Sequence, residues 1–236
     1  MTFSIVARSS DAHVFGVALA SSSPAVAARC AHARGGIGAV ATQSLTDPAL
    51  GTLMLDALGR GAGAGAALDL ALRATPFAAY RQLIAIGRDG PPAAHTGALA
   101  PGTRATALGS HAAAAGNLLA NPGVPAAMTA AFERAGAPRA SESQTRAFGE
   151  RLIAALHAGA AAGGEAGPVH SAGLLIAREL SWPIVDLRID WSEEAPLQQL
   201  SALWERYAPQ IEDYVRRAID PGSAPRFGVP GDCGPG

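Results

Sequence analysis

The sequence predicts an α+β fold of antiparallel sheet with helices on its outer faces, and three observations predict it. Strand and helix patterns come in blocks (strands, helices, strands, helices, strands, helix) and do not alternate one for one as parallel sheets require. The chain opens on two apolar runs, residues 2–8 and 13–20, joined by the turn-rich Ser9-Ser10-Asp11-Ala12, which reads as a hairpin. The helix-period stretches end at Gly or Pro, as helices that pack on a sheet and then return should.

Taken in order, Ser21-Ser22-Ser23-Pro24 ends the second strand and opens a small-residue segment, 25–33. Arg34-Gly35-Gly36 turns into a third strand, 37–43. Asp47-Pro48 has the form of an N-cap with proline at the first helical position, which predicts a helix to about residue 58. The glycine-rich 59–65 lacks the Lys-Ser/Thr ending of a phosphate loop and reads as a turn, after which 66–73 continues helically. Residues 81–87 and 93–97 form a second hairpin around Asp89-Gly90-Pro91-Pro92, and 103–109 and 112–117 supply two short strands. Helices follow at 125–135 and 145–162; the second carries Phe148, Leu152, Ala155, Leu156 and Gly159 on one face and stops at Gly163-Gly164. Strands return at 171–177 and 183–189. The latter puts Val185, Leu187 and Ile189 on one face and Asp186, Arg188 and Asp190 on the other. A last helical stretch, 197–219, breaks before Pro209. Residues 1–220 read as one domain and 221–236 as a Pro/Gly-rich tail.

Composition narrows the function. A hydrophobic content of 49% with 16% charged residues argues for a compact chain with a full core, and a formal net charge of −1 gives no field favouring nucleic acid or an anionic membrane. All 18 basic residues are arginine, so a catalytic or Schiff-base lysine is excluded. Two cysteines, Cys30 and Cys233, lack metal spacing; Cys30 reads as a small buried residue and Cys233 as an exposed tail thiol. The six histidines show no paired ligand spacing, so no metal and no cofactor are expected. There is neither a signal-peptide pattern nor a membrane-spanning run, and the expected compartment is the bacterial cytoplasm.

The chemistry-bearing candidate is Thr2. With Met1 trimmed, this residue would carry a hydroxyl nucleophile and a free amine together. An α-amine with its ordinary pKa of roughly 7.7–8.0 is partly neutral near pH 7 and can take the hydroxyl proton during attack on a carbonyl. If the opening strands form a hairpin, Ser21, Ser22 and Ser23 lie beside Thr2, because the end of strand two returns to the start of strand one. Their hydroxyls then orient the amine or bind substrate, or serve as turn and cap groups. Asn117, after Gly116, suits a side-chain oxyanion donor, or a strand-ending turn residue. Gln43 ends its strand towards the same cleft. Glu165 and His170 share one loop, where they would bind substrate or stand in solvent. A serine hydrolase using Ser21, Ser22 or Ser23 with His32 or His170 lacks the Gly-x-Ser-x-Gly elbow.

Several segments together resemble a known family. They are Met1-Thr2-Phe3-Ser4-Ile5-Val6-Ala7, Gly16-Val17-Ala18-Leu19-Ala20-Ser21, Gly36-Ile37-Gly38-Ala39-Val40-Ala41-Thr42-Gln43, Tyr80-Arg81-Gln82-Leu83, Gly116-Asn117-Leu118-Leu119, Ala162-Gly163-Gly164-Glu165 and Val185-Asp186-Leu187-Arg188. Their order and spacing are similar to the bacterial domain of unknown function 1028, itself similar in fold to the N-terminal nucleophile (Ntn) hydrolases. The resemblance implies a four-layer αββα sandwich of two antiparallel sheets and amide-bond hydrolysis, and supplies no substrate; the preferred reading is an amidohydrolase cleaving a C–N bond of a small amide, lactam or acylated amino compound. On this reading Thr2 is the nucleophile and Asn117 the oxyanion donor, with a small molecule as the partner and a homo-oligomer as an open possibility. Many members carry Asp where Glu165 stands, Gln where Ala160 stands and Arg-x-Gln in place of Pro168-Val169-His170, so the substrate need not be shared. The alternative on the same fold is a non-catalytic small-ligand binding or regulatory protein.

Overall fold

A computed structural model of the chain describes residues 1–134 and 144–229. Ala135 at the end of one predicted helix, and Cys233 with the rest of 230–236 in the tail, lie outside the described residues. Two antiparallel sheets and a set of helices make a mixed α+β architecture.

The opening hairpin forms as expected from β1 (Thr2–Arg8) and β2 (Phe15–Ser21), with Phe3 opposite Ala20 and Arg8 opposite Phe15. A five-residue helix, α1 (Val26–Cys30), leads into β3 (Ala31–Arg34), then β4 (Gly38–Ser44). Asp47 caps α2 (Pro48–Gly59), its carboxylate accepting from the Ala49 N–H at 3.1 Å, and α3 (Ala64–Arg73) follows. Next come β5 (Arg81–Gly87), β6 (Ala93–Thr96), β7 (Ala105–Leu108) and β8 (Ala112–Asn117). Helices α4 (Val124–Arg134) and α5 (Gln144–Ala161) precede β9 (Ser171–Ala177) and β10 (Val185–Ile189). The last helical stretch divides at Pro209 into α6 (Pro196–Tyr207), a 3₁₀ turn and α7 (Ile211–Ile219). Residues 25–33, read only as a small-residue segment, hold both α1 and most of β3.

The larger sheet runs β10-β9-β2-β1-β8-β7 and the smaller β3-β4-β5-β6. Their side chains sort into three apolar clusters, because successive residues of a strand face opposite ways. Phe3, Ile5 and Ala7 join Met128, Phe132, Leu152 and Trp204 from the helices on the larger sheet. Val40, Leu83 and Ala85 join Met54, Leu58 and Leu68 from α2 and α3. The third cluster draws on both sheets: Val6, Val17, Leu19 and Ala115 meet Ala39, Ala41, Ile84 and Ile86, with Cys30 buried at its edge. Among the described residues, no helix is long and apolar enough to cross a membrane.

Candidate functional site

The period of two locates the site. Val6 faces the other sheet, so Ser4 and Thr2 on the same strand do too; Leu19 places Ser21 there, Ala115 places Asn117, and Leu175 places Ser171. On the smaller sheet, Ala41 places Gln43 and Ile84 places Gln82. Antiparallel pairing brings the starts of β1, β5 and β9 to the same end as the finishes of β2, β4 and β8. The layer between the sheets is therefore apolar along most of its length and polar at one end.

At that end Thr2 is buried, with 6% of its surface exposed, directly opposite Asn117 in the β1–β8 register. Its Oγ1 lies 3.3 Å from Ser21 Oγ, and the hydroxyls of Thr2 and Ser21 both donate to the carbonyl oxygen of Met1. Ser21 Oγ also accepts from the Ser23 N–H at 3.0 Å. Ser23 in turn is tied to β9, its carbonyl accepting from Ser171 Oγ at 2.6 Å.

A chain of amides crosses between the sheets beside this group, and its direction follows from one atom. The Gly116 carbonyl can only accept, so the Gln82 Nε2 stands against it, at 2.9 Å, and donates also to Thr96 Oγ1 at 2.9 Å. That leaves Gln82 Oε1 to accept from Gln43 Nε2 at 2.7 Å and from Asn117 Nδ2 at 3.1 Å. Gln43 Oε1 then accepts from the Ser4 hydroxyl. Ser4, Gln43, Gln82 and Asn117 are all buried while Thr96 is half-buried, and Asn117 keeps a second N–H beyond the one given to Gln82.

Glu165 reaches the site from the loop after α5. An isolated bridge to Leu119 and the Ala166 N–H to Leu118 carbonyl bond of 2.9 Å pin that loop to the end of β8. Both carboxylate oxygens accept from the Ser22 N–H, at 3.1 Å each, and only 6% of the residue is exposed. Burial pushes its pKa up to about 7; the N-terminal amine, the Ser22 side chain and backbone, and His170 pull the other way. His170 stands one residue before Ser171, its N–H bonded to the Ser21 carbonyl at 2.9 Å. Its ring stacks on Trp191 at 4.3 Å, and Nδ1 donates to the Ser192 carbonyl at 3.0 Å, since a carbonyl can only accept.

The sequence profile of a family of unknown function, DUF1028, matches residues 2–200. The chain belongs to this family. A crystal structure of a DUF1028 protein from Silicibacter pomeroyi is similar to it at 28% sequence identity and a TM-score of 0.78, over 92% of this chain and 94% of that one. Anbu (ancestral beta-subunit) from Yersinia bercovieri matches over 90% of this chain and 97% of its own at 11% identity and a TM-score of 0.35, a likeness too loose to relate residues. No curated protein matches the sequence.

In this DUF1028 chain the structure brings Thr2, Ser21, Asn117 and Gln43 to one place and sets Glu165 beside them through Ser22. Ser22 and Ser23 contribute backbone N–H groups. His170 sits at the margin, held by Trp191 and Ser192. Glu165 is not the solvated loop residue that its Gly-rich surroundings allow. Gln82, Ser4, Ser171 and Thr96 belong to the network and were not singled out by sequence; the available signal was a polar residue on the inward parity of an otherwise apolar strand, as in Gln82-Leu83-Ile84-Ala85-Ile86. Among the described residues, no group of His, Cys, Asp and Glu is placed to hold a metal ion.

Proposed function

We propose that this DUF1028 protein is a cytoplasmic amidohydrolase of the N-terminal nucleophile type, acting on the C–N bond of a small amide, lactam or acylated amino compound. The observation that carries the proposal is the buried Thr2 hydroxyl, at the polar end of the inter-sheet layer, 3.3 Å from Ser21 Oγ and opposite Asn117. The fold supports it: helix, sheet, sheet and helix with an apolar cluster at each junction is what a four-layer αββα sandwich of the Ntn kind requires.

With Met1 removed, Thr2 Oγ1 attacks the substrate carbonyl carbon while its proton passes to the Thr2 α-amine. The tetrahedral oxyanion takes the spare N–H of Asn117 together with backbone N–H groups; in other enzymes one such donor contributes about 2.7–4 kcal/mol. The C–N bond then breaks, the leaving amine takes the proton back, and a threonyl ester remains. Water, deprotonated by the same amine, hydrolyses the ester and restores Thr2. Ser21, Ser22 and Ser23 position the amine and substrate, and Gln43 holds Asn117 in place through Gln82. Glu165, bonded to the Ser22 N–H, and His170, whose N–H is bonded to the Ser21 carbonyl, are assigned to substrate binding.

Intact mass establishes whether Met1 is gone. An electrophilic β-lactone probe is then expected to add once, at Thr2. Thr2→Ala, or any residue added before Thr2, is expected to lower amide turnover at least about a thousandfold without loss of fold. Full turnover in either protein overturns the mechanism. A retained Met1 favours the non-catalytic ligand-binding reading instead.

A further inference from the structure

Met1 itself occupies the site. Its carbonyl oxygen accepts from the hydroxyls of Thr2 and Ser21. Its thioether lies against Gly167: a Cβ built on that glycine would stand 3.2 Å from Met1 Cε and 3.7 Å from Sδ, with no other atom within 4 Å apart from the chain neighbours. Its α-amine makes no direct ion pair with Glu165, but its charge acts through space on that carboxylate, as the largest influence opposing the effect of burial. The carbonyl and the apolar side chain thus each have a direct partner, and the amine has Glu165 as the carboxylate its charge acts on. They belong to one aminoacyl group, bonded to the nitrogen of the very residue whose oxygen would carry the acyl group in the threonyl ester. Nitrogen and oxygen there are separated only by the Cα–Cβ bond.

We propose that Met1 marks the acyl subsite, and that the substrates are aminoacyl amides whose free α-ammonium is held by Glu165 and whose side chain lies over Gly167. This rests on the reading of Thr2 as nucleophile and names the substrate class of that same site. The case for a cationic ligand is the state of Glu165. A buried carboxylate has room for about four hydrogen bonds, and those this one receives all come from Ser22, from its N–H and its side chain. Burying such a group is costly unless a cation faces it. The chain has no lysine, and the positive groups acting on Glu165 are the N-terminal amine and His170, the latter committed to Ser192 and Trp191. Trimming Met1 moves the terminal amine back to Thr2 and vacates the space over Gly167, so the vacated volume has the shape of the group that left and keeps the buried Glu165 carboxylate beside it. An N-acylated or fatty acyl donor would place an uncharged group against the carboxylate.

Calorimetry on Met1-trimmed protein tests this with L-methioninamide, N-acetyl-L-methioninamide and glycinamide. L-Methioninamide is expected to bind at least tenfold tighter than its N-acetyl counterpart. Glu165→Gln should bring that ratio close to one. Gly167→Val, whose side chain enters the vacated space, should weaken L-methioninamide at least fivefold and leave glycinamide unchanged. Absence of L-methioninamide binding, equal or tighter binding of the N-acetyl compound, or a ratio indifferent to Glu165→Gln overturns the proposal. The ligand comparison on unsubstituted protein needs no variant to fold. Adduct mapping at Thr2 reports separately on the nucleophile, so aminoacyl-amide binding without Thr2 chemistry retains the subsite while overturning the hydrolase.

Discussion

Glu165 is the residue whose protonation the fold alters most visibly. Its pKa rises from an ordinary 4.5 to about 7, with burial as the largest cause. Between these values the folded chain holds a proton that the unfolded chain has released, so stability falls as pH rises. The contribution is fully present below about pH 4.5 and is lost as pH passes 7. Glu165→Gln, which cannot ionise, is therefore expected to flatten the profile: urea midpoints measured from pH 5 to 8 should show wild type losing on the order of 2 kcal/mol relative to the variant. Parallel profiles would mean that the carboxylate is solvated. Gln82 is the other residue on which much depends. Gln82→Ala leaves Gln43 Nε2, Asn117 Nδ2 and the Gly116 carbonyl without their partner. Each abandoned buried group costs about 1–3 kcal/mol, so a loss of about 3 kcal/mol or more in urea unfolding is expected unless water enters. Neither role was readable from the residue alone. A glutamate after two glycines and a glutamine at a strand start both look like surface chemistry until the pairing of distant segments encloses them.

At the scale of elements the sequence was most legible where a strong local signal met its period. Asp47-Pro48 announced α2, and Asp47→Ala is expected to cost about 1 kcal/mol through the lost cap on Ala49. The alternation of 185–190 announced a half-exposed strand, and β10 buries Val185 and Leu187 while Arg188 pairs with Asp186 at 2.7 Å through two bonds. What failed was 25–33. Alanine suits a helix on propensity and a tightly packed strand on size, so α1 and β3 leave no periodic trace. Small residues also hide packing. Gly149 on α5 faces Trp204 of α6, and a Cβ there would stand 2.3 Å from the indole. Helix propensity alone favours Gly149→Ala by about 0.8–1 kcal/mol. The clash, of the order of 1–3 kcal/mol for an overpacked core, is expected to win and lower the melting temperature. A gain in stability would show that α6 yields easily.

Across the whole molecule, the site exists because two sheets pack on an apolar layer to which β4 and β8 contribute only alanine. Ala113 and Ala115 from β8 meet Ala39 and Ala41 from β4, all fully buried, and short side chains set the spacing that lets Ser4 reach Gln43 and Asn117 reach Gln82. The sequence showed the sheets one at a time, through alternation within each strand. It did not show which residues of one sheet oppose those of the other, because that depends on how the sheets stack and not on any local pattern. The consequence is a coupling between core and chemistry. Ala115 pairs with Ser4 in the β1–β8 register and touches no proposed reacting atom. Ala115→Leu is expected to cost about 1–3 kcal/mol by overpacking. Because rigid interiors transmit strain, it should also separate the sheets at their polar end and break the amide chain that orients Asn117. The expected signature is a fall in β-lactone labelling of Thr2 beyond that given by Leu83→Ala. That change is equally buried but lies on the opposite face of the smaller sheet, against α2 and α3. Similar stability losses with equal labelling would show that the two sheets hold the site independently of their spacing.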